Sequence, residues 1–274
     1  MTQSALSRRI KALENWAGAE LVDRSEHPIR LTPAGEEFMA SAHSIIKEAQ
    51  EAQAVAANYA RITDRGVTIA CLHTLALYFV PKLIASLRSE IPPFEAGIVP
   101  ETRTIEDYLY ALRNGTCDFF ICYNHPAISF DVDIDDYPRI LLATDRIYPC
   151  ASDHEMLGLL EAGRSEPIPF LDYGPTSIMS RVLKDVLMQA DFSRRLRTVY
   201  RATLAESLAT AAREGLGLTW LPESIARQET SESSNLVLAE DFSEPLEIII
   251  LRSRHNDRPP VMRIWDHLSR LESA

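Results

Sequence analysis

Side chains able to do chemistry fall into three groups in this 274-residue chain. The first stands at its start: Gln3, Ser4, Ser7 and Arg8 lie opposite Leu6, Ile10 and Leu13 at helical spacing. A helix here would present amide, hydroxyl and guanidinium groups on one side and an apolar stripe on the other. Such groups match base edges in a major groove, while Arg30, farther along, suits a phosphate. An amphipathic surface helix has the same pattern, so periodicity alone does not separate the two readings.

The second group is His73, Thr74, Thr102, Tyr123, Asn124, His125, Thr176, Ser177 and Thr203, each placed where an extended apolar run gives way to a helical pattern or a loop. In open α/β sheets, ligands bind beyond the carboxyl ends of strands, where helix N-termini leave N–H groups unpaired. Hydroxyl, amide and imidazole groups at those points suit a small anion, a carboxylate above all. Every Ser and Thr among them also makes an ordinary helix cap, so the expected effector site rests on their convergence in space.

Sulfur forms the third group. Met179 lies one turn into the helix expected from Ser177, and oxidation would give its thioether a polar oxygen. Cys71 with His73, and Cys122 with His125, end two strands expected side by side, which raises a metal or redox site as an alternative. No Cys-x-x-Cys spacing occurs, so the four cysteines read as small buried apolar residues, and neither a metal nor a cofactor is expected. Nucleophile elbows, phosphate-cradling glycine loops and H-E-x-x-H are absent from a chain with 10 glycines, and Asp135-Asp136 reads as a solvated turn; an enzyme is not expected.

These residues need elements to hold them. Thr32 can cap a helix and Pro33 suits its first position; Phe38, Ala42, Ile45, Ala49, Ala52, Ala56 and Tyr59 then follow a 4-3-4-3 spacing. That is a coiled-coil seam whose small central residues would let two copies approach closely, the other reading being a single helix on its own domain. From Gly66 strands and helices alternate: strands at Val67–Leu72, Phe94–Val99 and Cys117–Tyr123, with helices at Leu75–Glu90 and Thr104–Arg113. A second set follows, with strands at Ile147–Ala151, Ile168–Tyr173, Leu196–Tyr200, Gly217–Leu221 and Glu247–Leu251. Its helices are Asp153–Glu161, Ser177–Ala190, Leu204–Glu214 and Pro259–Leu271. Alternation of this kind predicts an α/β fold with a parallel sheet and crossover helices.

The net charge is −11, yet residues 1–65 hold eight Lys/Arg against nine Asp/Glu, so nearly all the acidity falls in 66–274. A local basic surface from Arg8, Arg9, Lys11, Arg24 and Arg30 is compatible with DNA; its thinness predicts a dimer. No export signal and no membrane-spanning apolar run are evident, so a cytoplasmic location without membrane contact is expected.

Ser4, Ala5, Leu6, Ser7, Ile10, Lys11, Leu13, Glu14, Gly18, Leu21, Arg24, Leu31, Thr32 and Gly35 share the spacing of a known recognition helix and wing: the chain resembles the LysR-type transcriptional regulators. Val22 stands where that family usually has an aromatic residue. Ala151–Ser152–Asp153–His154 and Gly215–Leu216–Gly217 through Leu221–Pro222 extend the likeness, and Thr176–Leu187 with Leu218–Glu223 look most like the branch that includes hypochlorite-responsive members. The resemblance implies a partial winged helix-turn-helix over 1–35, a dimerising linker helix and hinge over 36–65, and a periplasmic-binding-protein-like effector domain of two α/β subdomains over 66–274. It implies double-stranded promoter DNA as a partner, contacted by Gln3, Ser4, Ser7, Arg8 and Arg30. It also implies a small effector in the clamshell and a homodimer or homotetramer. In that family further helices precede this point, so the true start is expected upstream of Met1, with the chain a truncated form. Two alternatives are an oxidant sensor acting through Met or Cys oxidation and a stand-alone solute-binding protein.

Overall fold

The computed structural model describes residues 3–23, 30–45, 49, 66–99, 105–130, 136–161, 163–188, 190–229 and 236–272. Arg24, Thr102, the second half of the expected coiled-coil seam and most of the expected hinge lie outside these residues, as do the side chains of residues 3–6. The chain divides into two compact units, Met1–Arg61 and Ile62–Ala274.

In the first unit, helix α1 (Gln3–Ala17) ends where Gly18 takes φ +71°, the left-handed conformation that caps a helix at little steric cost. Strands β1 (Val22–Asp23) and β2 (Arg30–Leu31) pair antiparallel, and helix α2 covers residues 33–45. Glu14 ties α1 to the ribbon, its carboxylate accepting from the N–H groups of Leu21 and Val22 at 3.1 and 3.2 Å. Thr32 caps α2 as expected: its hydroxyl accepts from Gly35 N–H at 3.0 Å and donates to the Glu20 carbonyl at 2.7 Å. A Cβ on Gly35 would stand 2.0 Å from the Leu21 carbonyl oxygen, so the Leu-Thr-Pro-Ala-Gly run is a close-packed junction of ribbon and helix. Edge-on contact of Trp16 with Phe38, centroids 6.3 Å apart, joins α1 to α2.

The second unit begins with β3 (Gly66–Cys71), α3 (His73–Tyr78), α4 (Val80–Glu90), β4 (Glu95–Ile98), α5 (Ile105–Arg113) and β5 (Phe119–Asn124). Then come β6 (Arg139–Ala151), α6 (His154–Gly158), β7 (Ile168–Tyr173), α7 (Ile178–Met188), β8 (Leu196–Ala202), α8 (Ala205–Arg213) and β9 (Thr219–Pro222). The rest is α9 (Glu223–Glu229), β10 (Val237–Leu238), β11 (Glu244–Leu251) and α10 (Pro259–Glu272). The expected helix at Leu75–Glu90 is two helices, because Pro81 has no N–H to continue the ladder and restarts the chain at the head of α4.

The sheet is mixed rather than parallel, a correction to the expected topology. Its order is β10-β6-β11-β5-β3-β4, with β9 also on β6; β3 runs parallel to β4 and β5, while β11 runs antiparallel to both β5 and β6. Strand β6 starts eight residues before the expected Ile147, since Thr144, Asp145 and Arg146 interrupt its apolar pattern. Its first part pairs with β11 and its last part with β9, so these two antiparallel strands cross between two lobes. Strands β7 and β8 pair parallel in a small second sheet, joined to the chain entering β9 by a bridge from Phe170 to Leu218. This is the two-lobed arrangement expected of the periplasmic-binding-protein-like fold. Each lobe has its own aromatic core: Tyr108 stacks on Phe120 at 4.5 Å in the first, and Trp220 on Phe192 at 6.0 Å in the second.

Asp118 is the buried ionic centre of the first lobe. Its carboxylate accepts from Thr68 N–H at 2.8 Å, the Thr68 hydroxyl at 3.0 Å and Asn256 Nδ2 at 2.8 Å. Arg258 Nη1 reaches both carboxylate oxygens, at 2.8 and 2.9 Å, and its Nη2 donates to the Gly66 carbonyl at 2.9 Å, fixing the chain entering α10 against β3.

Candidate ligand cleft and nucleic-acid-facing helix

A cavity of about 450 Å³ opens between the lobes. His73 and Thr74 reach it from the start of α3, Ile105 and Tyr108 from α5, and Tyr123 from the end of β5. Across the gap stand Tyr173 at the end of β7, Thr176, Ser177 and Met179 at the entry to α7, and Thr203 before α8. Six of the nine expected effector residues, namely His73, Thr74, Tyr123, Thr176, Ser177 and Thr203, therefore meet at one place, with Met179 beside them. Gly174 allows the loops to close up, since a Cβ there would come within 3.0 Å of the Thr203 hydroxyl.

Direct polar contacts join the lobes at this seam. The Thr74 hydroxyl donates to Glu206 Oε1 at 3.0 Å, and Arg181 on α7 pairs with Glu106 on α5 at 3.9 Å. Behind Tyr123 lies a buried polar pocket: the hydroxyls of Tyr123 and Ser224 and Oδ2 of Asp145 adjoin without full hydrogen-bond geometry. Burial, and then the Asp145 carboxylate, push the Tyr123 phenol well above its usual range. Burial likewise raises Asp145, opposed by N–H groups of Arg146 at 2.6 Å and Glu223 at 3.2 Å. Tyr173 is satisfied, donating to the Trp220 carbonyl at 2.9 Å.

Asn124 and His125 stand outside this cleft. Antiparallel β11 supplies carboxylates that take them: Asn124 Nδ2 donates to Glu247 at 2.6 Å, and His125 Nε2 lies 3.2 Å from Glu244. His125 Nδ1 accepts from Ala127 N–H at 3.1 Å, which places the ring proton on Nε2 facing Glu244. Cys71, His73, Cys122 and His125 do not gather, and among the described residues no group of three or more His, Cys, Asp or Glu is placed to hold a metal ion. All four cysteines are buried, and burial suppresses ionisation of Cys117, Cys122 and Cys150, the last pushed up to about 12. Sequence reasoning missed Glu206 as the acceptor of the Thr74 hydroxyl, as well as the apolar lining of the cavity by Leu72, Ile105, Tyr108, Ile178 and Leu204. Its Thr203-x-x-Glu206 spacing reads as a capping box, a signal of a helix start rather than of a cleft.

In the first unit Ser7, Arg8, Arg9 and Lys11 are exposed along α1, and Arg30 is exposed on β2. Gln3 and Ser4 open α1, and their side chains lie outside the described residues. Among the described residues no helix is long and apolar enough to cross a membrane.

Two family models match the chain: the LysR substrate binding domain over residues 63–271, and the bacterial regulatory helix-turn-helix protein, lysR family, over residues 1–36. The HTH-type transcriptional regulator YjiE of Escherichia coli (strain K12) is 27% identical over 276 residues, covering 99% of this chain and 87% of that protein. The crystal structure of VV2_1132, a LysR family transcriptional regulator, is 30% identical with a TM-score of 0.64, over 98% of this chain and 89% of that one. Full-length HypT from Salmonella typhimurium, a hypochlorite-specific LysR-type transcriptional regulator, shares the fold at 24% identity and a TM-score of 0.59, over 100% of this chain and 90% of that one. With a helix-turn-helix segment matched over residues 1–36 and a two-lobed substrate-binding domain over residues 63–271, the chain belongs to the LysR family of transcriptional regulators.

Proposed function

We propose that this regulator binds double-stranded promoter DNA as a homodimer or homotetramer and changes that binding when a small, acid-bearing effector enters the interlobe cleft. DNA contacts are assigned to Gln3, Ser4, Ser7 and Arg8 on α1 and to Arg30 on the ribbon; the functional segments are 1–35 for DNA, 36–65 for pairing and 66–274 for the effector. The observation that carries the effector reading is that hydroxyls and helix starts from both lobes share one cavity: Thr74 from one, Thr176, Ser177 and Thr203 from the other. An effector that prefers the closed lobes shifts their equilibrium, and linkage transmits that preference to the DNA. The reading is of a cytoplasmic regulator and not an enzyme, supported by relatives that are transcriptional regulators. Thermal-shift screening of carboxylate metabolites against the full chain tests it, since a ligand of the native state raises the melting temperature. The response is expected to vanish in a Thr176→Val, Ser177→Ala double variant; an unchanged response there rejects the cleft.

A second reading is favoured by one position. Met179 lines the cleft and is 6% exposed, so its sulfoxide would place a dipole among Tyr108, Tyr123 and Ile178. A relative of the same fold is named hypochlorite-specific. After mild hypochlorite, peptide mapping should show sulfoxide at Met179 tracking the change in DNA binding. Met188, 76% exposed, is the internal control, oxidised early without consequence. A Met179→Leu variant that still responds to hypochlorite removes this reading.

A further inference from the structure

The contact between Thr74 and Glu206 is built of two opposing effects. The Thr74 hydroxyl, in the first turn of α3, donates to Oε1 of Glu206, in the first turn of α8, at 3.0 Å. Thr74 is 7% exposed and lines the cavity, so the contact lies inside the seam between the lobes. The pair of Arg181 with Glu106, by contrast, joins side chains 45% and 66% exposed, and an exposed pair of that kind adds little. A hydrogen bond to a carboxylate sheltered from water is stronger than one between neutral groups, which favours a closed seam. The other carboxylate oxygen works against closure. Glu206 Oε2 is buried and makes no hydrogen bond among the described residues, so it has lost water without gaining a donor. Tyr173 stands near enough for the Glu206 charge, after burial, to raise its phenol, yet its hydroxyl is spent on the Trp220 carbonyl at 2.9 Å.

We propose that Thr74 and Glu206 form a poised latch that regulates the interlobe cleft: the Thr74 hydroxyl holds the lobes together, while the donorless Glu206 oxygen keeps that hold weak. Its role in the response rests on the effector reading given above; the latch itself does not. Parting the lobes breaks the hydrogen bond and returns water to the carboxylate, so gain and loss nearly cancel. A small ligand then needs only a modest preference for one lobe arrangement to shift the balance. The two partners are not equivalent. Removing the Thr74 hydroxyl leaves a whole carboxylate in the seam without a donor, whereas making both positions apolar removes the bond and the cost together.

The test measures the distance between lobes in the full chain, with no ligand added. Spin labels go on Arg113→Cys, at the exposed end of α5, and Glu214→Cys, exposed just after α8; the four native cysteines are buried. Labelled chain is diluted in unlabelled chain so that distances within one chain dominate the electron–electron resonance signal. Thr74→Val should raise the ratio of long to short distances roughly tenfold or more, as loss of a hydrogen bond to a charged group does. Thr74→Ser, which keeps the hydroxyl, should leave the ratio unchanged. Thr74→Val combined with Glu206→Leu should bring it back toward that of the unaltered chain. Distances unmoved by Thr74→Val overturn the latch, and a double variant as open as the single one overturns its poise. Thr74→Ala carries the same comparison if Thr74→Val fails to fold. Because no ligand takes part, a failed effector screen leaves these outcomes decisive, and an unmoved distance leaves the effector reading standing.

Discussion

Asp118 carries its charge in a setting where both carboxylate oxygens are matched by donors, with Thr68, Asn256 and Arg258 gathered around a side chain only 3% exposed. Removing the cation would leave a buried, uncompensated charge, so Arg258→Met is expected to cost about 3–5 kcal/mol, read from denaturant unfolding of the full chain. Asp145 works in the opposite sense. Burial raises its pKa above 3.8, so the native state holds the proton more tightly than the unfolded chain. Its contribution to stability is therefore fully present below the unfolded value and is lost as pH rises from about 3.8 through the raised native value. Asp145→Asn is expected to flatten stability against pH in that window; an unchanged profile would show that the carboxyl is already neutralised by other means. At this scale the sequence was partly legible. Thr74, Tyr123, Thr176 and Thr203 were found because each closes or follows a strand, and chain direction alone carries a strand's end toward the cleft. The same logic misplaced Asn124 and His125, because the glutamates that take them lie 123 and 119 residues away on a strand whose direction the pattern does not encode.

Elements were read best where local chemistry dictates them. The Thr32 cap and Pro33 at the head of α2 are events within a few residues, and the structure holds them as expected; the left-handed Gly18 that ends α1 is equally local. Gly35 gives a diagnostic test. In most helices Gly→Ala stabilises, by about 1 kcal/mol. Here the added methyl meets the Leu21 carbonyl oxygen, and Gly35→Ala is expected to destabilise the first unit by about 1–3 kcal/mol, visible as a lowered melting transition by circular dichroism. A gain in stability would mean that the ribbon does not press on α2. The break at Phe79 and the early start of β6 were not legible, because an apolar stripe continues across Pro81 and a polar stretch hides an edge-to-edge paired strand.

At the scale of the molecule, the buried side chains of the Ile62–Ala274 unit form one continuous cluster, and β6 with β11 joins its two lobes. A chain starting at Ile62 is expected to fold alone and to melt within a few degrees of the matching transition in the full protein, measured by calorimetry; a broad, non-cooperative melt would show that residues 1–61 complete its core. The sequence by itself determined most helix starts, the apolar strand runs, and the spacing of the recognition-helix and wing residues, because caps and periodicity act over a handful of neighbours. Tertiary structure alone decided that the sheet is mixed, that β11 claims Asn124 and His125, and that Glu206 faces Thr74 across 132 residues. Strand partners and cleft walls are chosen by hydrogen bonding and packing between distant segments, and the local pattern of a sequence carries no record of that choice.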